Sequence, residues 1–382
     1  MRIGFACAWE KVPEQTWSNI PWRLRRALQR REDVTVIDLG VQYTAIQTLL
    51  KYTHVVYRQG RWMTTYYWSP LYDRMVQKKL RASLLKTPVD AVIQVGDLAH
   101  LDEPYYIYQD LSFDVLARFY ERGRGVPGFP EIDLETIKRR RDRQHKIYES
   151  ATGVFAMSQW FANTLIEWSG VSPDKITVVY AGLNSVGAIK ENAVSRVAAT
   201  KNASVKLLFV GHDFFRKGGD IVLKAMALLR RDRLPNVQLT IAGPDRWPLP
   251  TGIPEGVVFL GKRTPPEIGQ LFYEHDLFVM PSRFEAFGIG FIEALAHGIP
   301  VIGRSAFAMP EVIQPGKNGA LVRTDDPAEL ASAIMVVLNN PTIRQYTLQT
   351  MQDVRAQYSW DTVAERMRAR MANRGDVFWG LS

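Results

Sequence analysis

The stretch PSRFEAFGIGFIEALAHGIP, residues 281–300, reads as one crossover of a parallel β-sheet. An apolar strand at 277–280 runs into it, and a loop carries Glu285. A turn with Gly288 and Gly290 then opens a helix over about 288–297 that bears Glu293, and Pro300 leads into a second strand at 301–303. Working outward, further short apolar runs lie at 205–211, 237–243, 257–261 and 320–322, with helical patterns at about 217–231 and 327–339. Strands alternating with amphipathic helices imply βαβ units and a parallel sheet covered on both faces. The first half repeats the style with poorer punctuation, its strand candidates being 3–8, 34–39, 54–57, 91–95, 106–108 and 153–157. Small and polar residues dominate 184–204, a linker composition. The expected organisation is an N-terminal Rossmann-like domain over 1–185, a linker over 186–204, a second Rossmann-like domain over 205–358, and basic C-terminal helices over 359–382.

Composition agrees with a two-domain globular chain. Its 382 residues divide at roughly 100–200 per domain, and 46% apolar against 23% charged residues is an ordinary soluble balance. No apolar run approaches the roughly 20 residues that span a bilayer. The opening Met1-Arg2-Ile3-Gly4-Phe5 reads as a first strand rather than a signal peptide. The single cysteine, Cys7, permits no internal disulfide and fits a buried structural thiol in a reducing compartment. A cytoplasmic location is therefore expected, with peripheral attachment at the inner face of the membrane as a variant. The formal net charge of +9 invites a nucleic-acid reading. No zinc-finger spacing, basic zipper or RNP-type aromatic motif supports one, and anionic small molecules or an anionic membrane account for a basic chain as well.

The loop at 281–290 has the chemistry of an anion site. The first N–H groups of a helix are unpaired and its dipole is positive there, and Gly288 lets a ligand approach the backbone. Two carboxylates beside such a positive end suit hydroxyls, as paired acceptors for a sugar or ribose. Glu293 sits among Ile292, Ala294 and Leu295, where an unpartnered carboxylate is costly. A second element, Gly211-His212-Asp213-Phe214-Phe215-Arg216-Lys217-Gly218-Gly219-Asp220, follows a strand and opens a helix. Cations at a helix start oppose the dipole at about 0.3–1 kcal/mol each. A bound anion would offset that cost for Arg216 and Lys217.

The 281–300 string resembles the Glu-x7-Glu signature of the retaining glycosyltransferases of family four. The resemblance is strong over 207–324. It is supported by Phe155-Ala156-Met157-Ser158, Lys175-Ile176-Thr177-Val178-Val179 and Tyr358-Ser359-Trp360-Asp361, and is weak before residue 150. It implies an α/β fold of two facing Rossmann-like domains (GT-B) with the active site in the inter-domain cleft and the C-terminal helices over 359–382 crossing back to the first domain. It further implies a nucleotide-sugar donor such as a UDP- or GDP-sugar and a glycan, lipid-linked or small-molecule acceptor. Glu285, Phe287, Gly288 and Ile289 would face the transferred sugar, Glu293 the ribose, and Lys217 and Arg216 the diphosphate. Gly211, His212, Gly243, Lys262 and Arg263 would lie near the nucleotide, with Glu311 in a turn close by. The family has Arg where His212 stands and His-Asp where Gln109-Asp110 stands, so of that pair Asp110 alone carries over, joining Glu285 and Lys217 as the implied catalytic residues. Trp17-Ser18-Asn19-Ile20-Pro21 occupies the place of the family's glycine-rich loop, which puts Ser18 and Asn19 on the acceptor side.

No Asp-x-Asp and no metal-ligand spacing among the six histidines occur, so neither a metal nor another cofactor is expected. A phosphorylase or isomerase on the same fold would use the same donor residues, and product analysis separates it. A non-catalytic sugar-nucleotide or nucleic-acid binder stays open as well, although such a protein could dispense with Glu285 and Lys217. Finally, residues 51–86 hold Lys51, Arg58, Arg61, Arg74, Lys78, Lys79, Arg81 and Lys86 against only Asp73, interleaved with Tyr52, Tyr57, Trp62, Tyr66, Tyr67, Trp68 and Tyr72. That pattern fits either a solvated helix over core aromatics or a surface for anionic lipid, with Lys78, Lys79 and Arg81 as its centre.

Overall fold

The computed structural model describes residues 1–41, 45–58, 61–123, 129, 132–184 and 204–373. The chain divides into two units, Met1–Gly182 with Trp360–Ser382, and Leu183–Ser359. The linker expected at 186–204 lies, apart from Ser204, outside the described residues.

The first unit runs β1 (Arg2–Ala6), α1 (Ile20–Gln29), β2 (Thr35–Asp38), α2 (Ala45–Tyr52), β3 (Val55–Arg58), β4 (Arg61–Thr64), α3 (Pro70–Lys86), β5 (Ala91–Val95), β6 (Tyr105–Gln109), α4 (Phe113–Glu121), α5 (Leu134–Ser150), β7 (Gly153–Ala156), α6 (Gln159–Glu167) and β8 (Ile176–Val178). Its six-stranded sheet has the order β2-β1-β5-β6-β7-β8, every pair parallel. All five residues of β5 and of β6 are buried, the pattern a strand acquires when helices cover both faces. Helix starts are closed by side chains the chain supplies locally: Ser112, Asp133 and Ser158 each accept the backbone N–H three residues on.

One expectation needs correcting. The run 54–57 is not a strand of the main sheet; β3 pairs antiparallel with β4 in a separate hairpin, Val55 opposite Thr64 and Tyr57 opposite Trp62. The cause is legible in its exposure. Val55 and Tyr57 face solvent while Val56 between them is half-buried, and a strand wet on one face does not belong inside a doubly covered sheet. The sixth strand of the sheet is β8, from the Ile176-Thr177-Val178 segment, at the edge beside β7.

The second unit runs β9 (Lys206–Val210), α7 (Gly219–Asp232), β10 (Gln238–Ala242), β11 (Val257–Gly261), α8 (Pro265–Glu274), β12 (Leu277–Val279), α9 (Ile289–Leu295), β13 (Val301–Arg304), α10 (Met309–Val312), β14 (Gly319–Val322), α11 (Pro327–Leu338) and α12 (Pro341–Gln357). Its sheet, β11-β10-β9-β12-β13-β14, is also parallel throughout. Strand order reverses at β9, which lies between β10 and β12. In open α/β sheets the crevice beyond the strand ends at such a reversal is where ligands bind.

The last helix, α13 (Trp360–Ala372), returns to the first unit. Trp360, Val363, Ala364, Met367 and Met371 are buried at three- and four-residue spacing, one apolar stripe of a helix. The pairs Arg30–Asp361 and Arg368–Asp33 beside it are exposed and contribute little; apolar burial holds the helix.

Candidate functional site

Two loops of the second unit flank its strand reversal. The first joins β9 to α7 and holds Gly211 to Gly218; the second joins β12 to α9 and holds Met280 to Gly288. Main-chain and side-chain bonds stitch them together. Arg283 N–H donates to the Arg216 carbonyl at 2.8 Å, and the Arg216 guanidinium donates to the Phe284 carbonyl at 2.8 Å. Gly218 sits at φ +81°, and a Cβ there would lie 2.6 Å from the Pro281 carbonyl oxygen. Only glycine meets both demands without shifting the second loop.

Between the loops the Lys217 ammonium bonds the Glu285 carboxylate, with side-chain exposures of 15% and 13%. Burial pushes the Lys217 pKa below the usual lysine value, with Arg216 adding to the effect and Glu285 opposing it. A cation held this dry interacts strongly with any anion that reaches it. Arg216 also bonds Asp213 at 3.2 Å, so its guanidinium is shared between its own loop and the second. Glu293 is buried at 9% exposure and its carboxylate accepts the Asn184 N–H at 3.1 Å. The carboxylate expected to be costly among apolar neighbours is thus partnered by backbone.

The remaining residues of this group lie at the same strand ends. Gly211 donates to the Ala242 carbonyl, and Gly243, at φ +120°, is packed directly on the Gly211 backbone. The exposed His212 ring lies 3.4 Å from the Gly243 carbonyl. Gly243 N–H in turn donates to the Gly261 carbonyl at 2.9 Å, which sets the exposed Lys262 and Arg263 just beyond. Phe287 is buried, Gly288 caps α9 in the left-handed conformation and Ile289 is half-buried. Since α9 has only seven residues, its dipole is short, and the fixed cation contributes more than the helix start. Glu311 sits in the short helix α10.

Ser18, Asn19 and Asp110 belong to the first unit. Trp17, Ser18 and Asn19 take φ +41°, +56° and +67° immediately before α1, and the Trp17 ring lies 6.5 Å from that of Tyr108. Asp110 follows β6, where burial and its charge raise the pKa of the Tyr108 hydroxyl well above the ordinary phenol value. Among the described residues no three His, Cys, Asp or Glu side chains converge. Cys7 is buried, and burial pushes its thiol pKa up, far from a nucleophile's.

Sequence reading missed the frame behind Lys217 and Glu285. Arg283 makes a bidentate bond to Asp220 at 2.7 and 2.9 Å and bonds Asp325 at 2.6 Å. Arg304 bonds the same Asp325 and donates to the Ser282 carbonyl at 3.0 Å. Asp220, next to the paired glycines, was the available clue, but its partner lies 63 residues away.

Comparison with known proteins places this geometry. Residues 192–352 match the family model described as glycosyl transferases group 1. An uncharacterised glycosyltransferase of Methanocaldococcus jannaschii is 29% identical over 233 residues, 57% of this chain and 59% of that protein. A D-inositol 3-phosphate glycosyltransferase of Corynebacterium diphtheriae is 26% identical over 254 residues, covering 62% and 60%. The chain thus matches about 60% of the length of these curated relatives. Among solved structures, sucrose-phosphate synthase of Thermosynechococcus elongatus superposes with a TM-score of 0.72 at 18% identity, over 96% of this chain and 97% of that one. HepE of Anabaena, solved with UDP and glucose, gives 0.65 at 18% identity over 97% and 99%. The fold is that of the GT-B glycosyltransferases, and residues 192–352 are similar to the glycosyl transferases group 1 family.

Proposed function

We propose that the chain transfers a sugar from a nucleotide-sugar to a glycan, lipid-linked or small-molecule acceptor, with retention at the anomeric carbon and without a metal. The observation that carries this reading is the half-buried Lys217–Glu285 pair between the two loops at the strand reversal. On donor entry the ammonium exchanges its carboxylate partner for the diphosphate, with Arg216 beside it. Glu285 and the backbone at Phe287 to Ile289 then face the sugar, and Glu293 the ribose hydroxyls. His212, Gly211, Gly243, Lys262 and Arg263 border the nucleotide. Charge developing on the leaving diphosphate falls on preorganised protein cations.

Retention follows from same-face attack. The acceptor oxygen bonds the anomeric carbon on the face from which the phosphate oxygen departs, and that oxygen takes the acceptor's proton. Asp110, Ser18 and Asn19 of the first unit are the candidates for orienting the acceptor. Because HepE holds UDP and glucose, UDP-glucose heads the donors to be tried.

The test is a thermal-shift panel of UDP-, GDP- and ADP-sugars with EDTA present, followed by NMR of the anomeric proton of the product. A ligand at 100 times its Kd should stabilise the chain by about 2.7 kcal/mol. Stabilisation that survives EDTA and a product of unchanged anomeric configuration are expected. Inversion, or a complete loss of activity restored by Mn²⁺, contradicts the mechanism.

A further inference from the structure

Helix α3 is amphipathic in a way that folding alone does not require. Tyr72, Val76, Leu80 and Leu84 line its buried face. Opposite them Leu71, Arg74, Lys78, Arg81 and Leu85 form one solvent-facing stripe, and Leu71 and Leu85 are 39% and 86% exposed. The β3–β4 hairpin presents an equally unpartnered face. Tyr57 and Trp62 are cross-strand neighbours with ring centres 5.1 Å apart, and they are 59% and 72% exposed. On α2, just before the hairpin, Leu49 and Tyr52 are 69% and 74% exposed. Large apolar side chains gathered in one segment and left in water mark an interaction site.

Charge identifies the partner. Between residues 49 and 86 the only acid is Asp73, and its carboxylate turns inward to Arg140 and Arg143. It therefore does not neutralise the outward cations of α3. The ion pair of Arg81 with Asp102 at 3.5 Å joins two exposed groups and is weak. Helix α5 shows what an ordinary solvated face looks like here. Its exposed residues Glu135, Lys138, Asp142, Lys146 and Glu149 alternate in sign. Lys79, grouped with Lys78 in the sequence, is half-buried off the stripe.

We propose that the α3 stripe and the Tyr57–Trp62 face of the hairpin dock the chain on an anionic lipid bilayer. The cations meet lipid phosphates, Trp62 and Tyr57 enter the interfacial layer that such rings favour, and the leucines enter its apolar edge. A nucleic acid would use the cations and the rings, but it offers nothing to exposed leucines.

The test is cosedimentation of the full chain with phosphatidylglycerol–phosphatidylcholine vesicles and with phosphatidylcholine vesicles, at low and high salt. Binding should be confined to the anionic vesicles and weaken steeply with salt. The triple change Arg74→Glu, Lys78→Glu, Arg81→Glu should cut partitioning more than about 100-fold. Trp62→Ala with Tyr57→Ala should cut it about tenfold, with salt dependence kept. All five positions are outward-facing, and an unchanged melting temperature verifies folding. Equal binding to both vesicle types, no binding at low salt, or a charge-reversed variant that binds like wild type overturns the proposal. Tighter binding to polyuridylate than to anionic vesicles also overturns it, assigning the surface to nucleic acid. Nucleotide binding does not enter the readout, so the result is independent of the donor-site reading.

Discussion

The first βα connection of each unit leaves a central strand at the point where strand order reverses, yet the two are built from different residues. In the second unit the β9–α7 loop turns on Gly218 at φ +81° and carries Lys217 into contact with Glu285. In the first unit the β1–α1 connection makes its left-handed turn with Trp17, Ser18 and Asn19. No glycine relieves them, and left-handed backbone costs roughly 1–2 kcal/mol for a residue with a Cβ. One loop is shaped to place a charge against a second loop; the other holds strain at the same position in the fold. Backbone strain persists only where surrounding structure over-determines it, and it clusters at functional sites.

The sharpest way to break this contrast is Lys217→Ala. If that ammonium serves the diphosphate, turnover falls more than about 100-fold while the fold survives, because one lost contact to a developing anion is worth roughly 2.7–4 kcal/mol. Near-wild-type kcat with the best donor would assign Lys217 to stability alone.

Acidification should also separate the units. Both buried histidines, His275 and His297, lie in the second unit. Burial, with Arg355 adding to it, pushes His297 down to about 4, although its bond to the Glu293 carbonyl opposes the shift. Between pH ~6.5 and ~4 the unfolded chain takes a proton that the folded ring refuses, so stability is lost as pH falls through that window, by up to about 3 kcal/mol for His297. The second unit should therefore melt earlier at pH 4.5 than at pH 7, and His297→Gln should flatten the dependence. An acid dependence unaltered by that change would place its origin elsewhere.

Smaller effects come from the loops themselves. Gly218→Ala should cost about 1–3 kcal/mol through strain and its contact with Pro281. Ser18→Gly should leave stability unchanged or raise it by less than about 1 kcal/mol, since relief of strain exceeds the added chain entropy only slightly. Melting curves in which both substitutions destabilise equally would show that the two turns are not differently strained.

This contrast explains how much of the molecule could be read from its residues. In the second unit β9, β10, β11 and β13 announce themselves by short apolar runs that reach a glycine, and the observed β9 to β14 lie within a residue or two of their expected positions. Helices α8 and α12 went unread because proline openings and mixed faces hide their period. In the first unit, 54–57 looked like a core strand because hydrophobicity alone does not say which face is covered. Glu285 and Lys217 were recognisable as residue types beside strand ends, but their ion pair bridges 68 residues. The Arg283–Asp220–Asp325–Arg304 frame has no local pattern at all. The left-handed turn at 17–19 was hidden for a related reason: Trp17 and Ser18 do not advertise positive φ, and Asn19 alone does not mark a turn.

Hydrogen–deuterium exchange of the full chain with and without the stabilising nucleotide-sugar tests the central claim most directly. The account predicts slowed exchange at 211–219 and 281–289 of the second unit, lost in Lys217→Ala. Protection confined to the β1–α1 connection at 13–20, or protection of the second-unit loops that Lys217→Ala leaves intact, would contradict it.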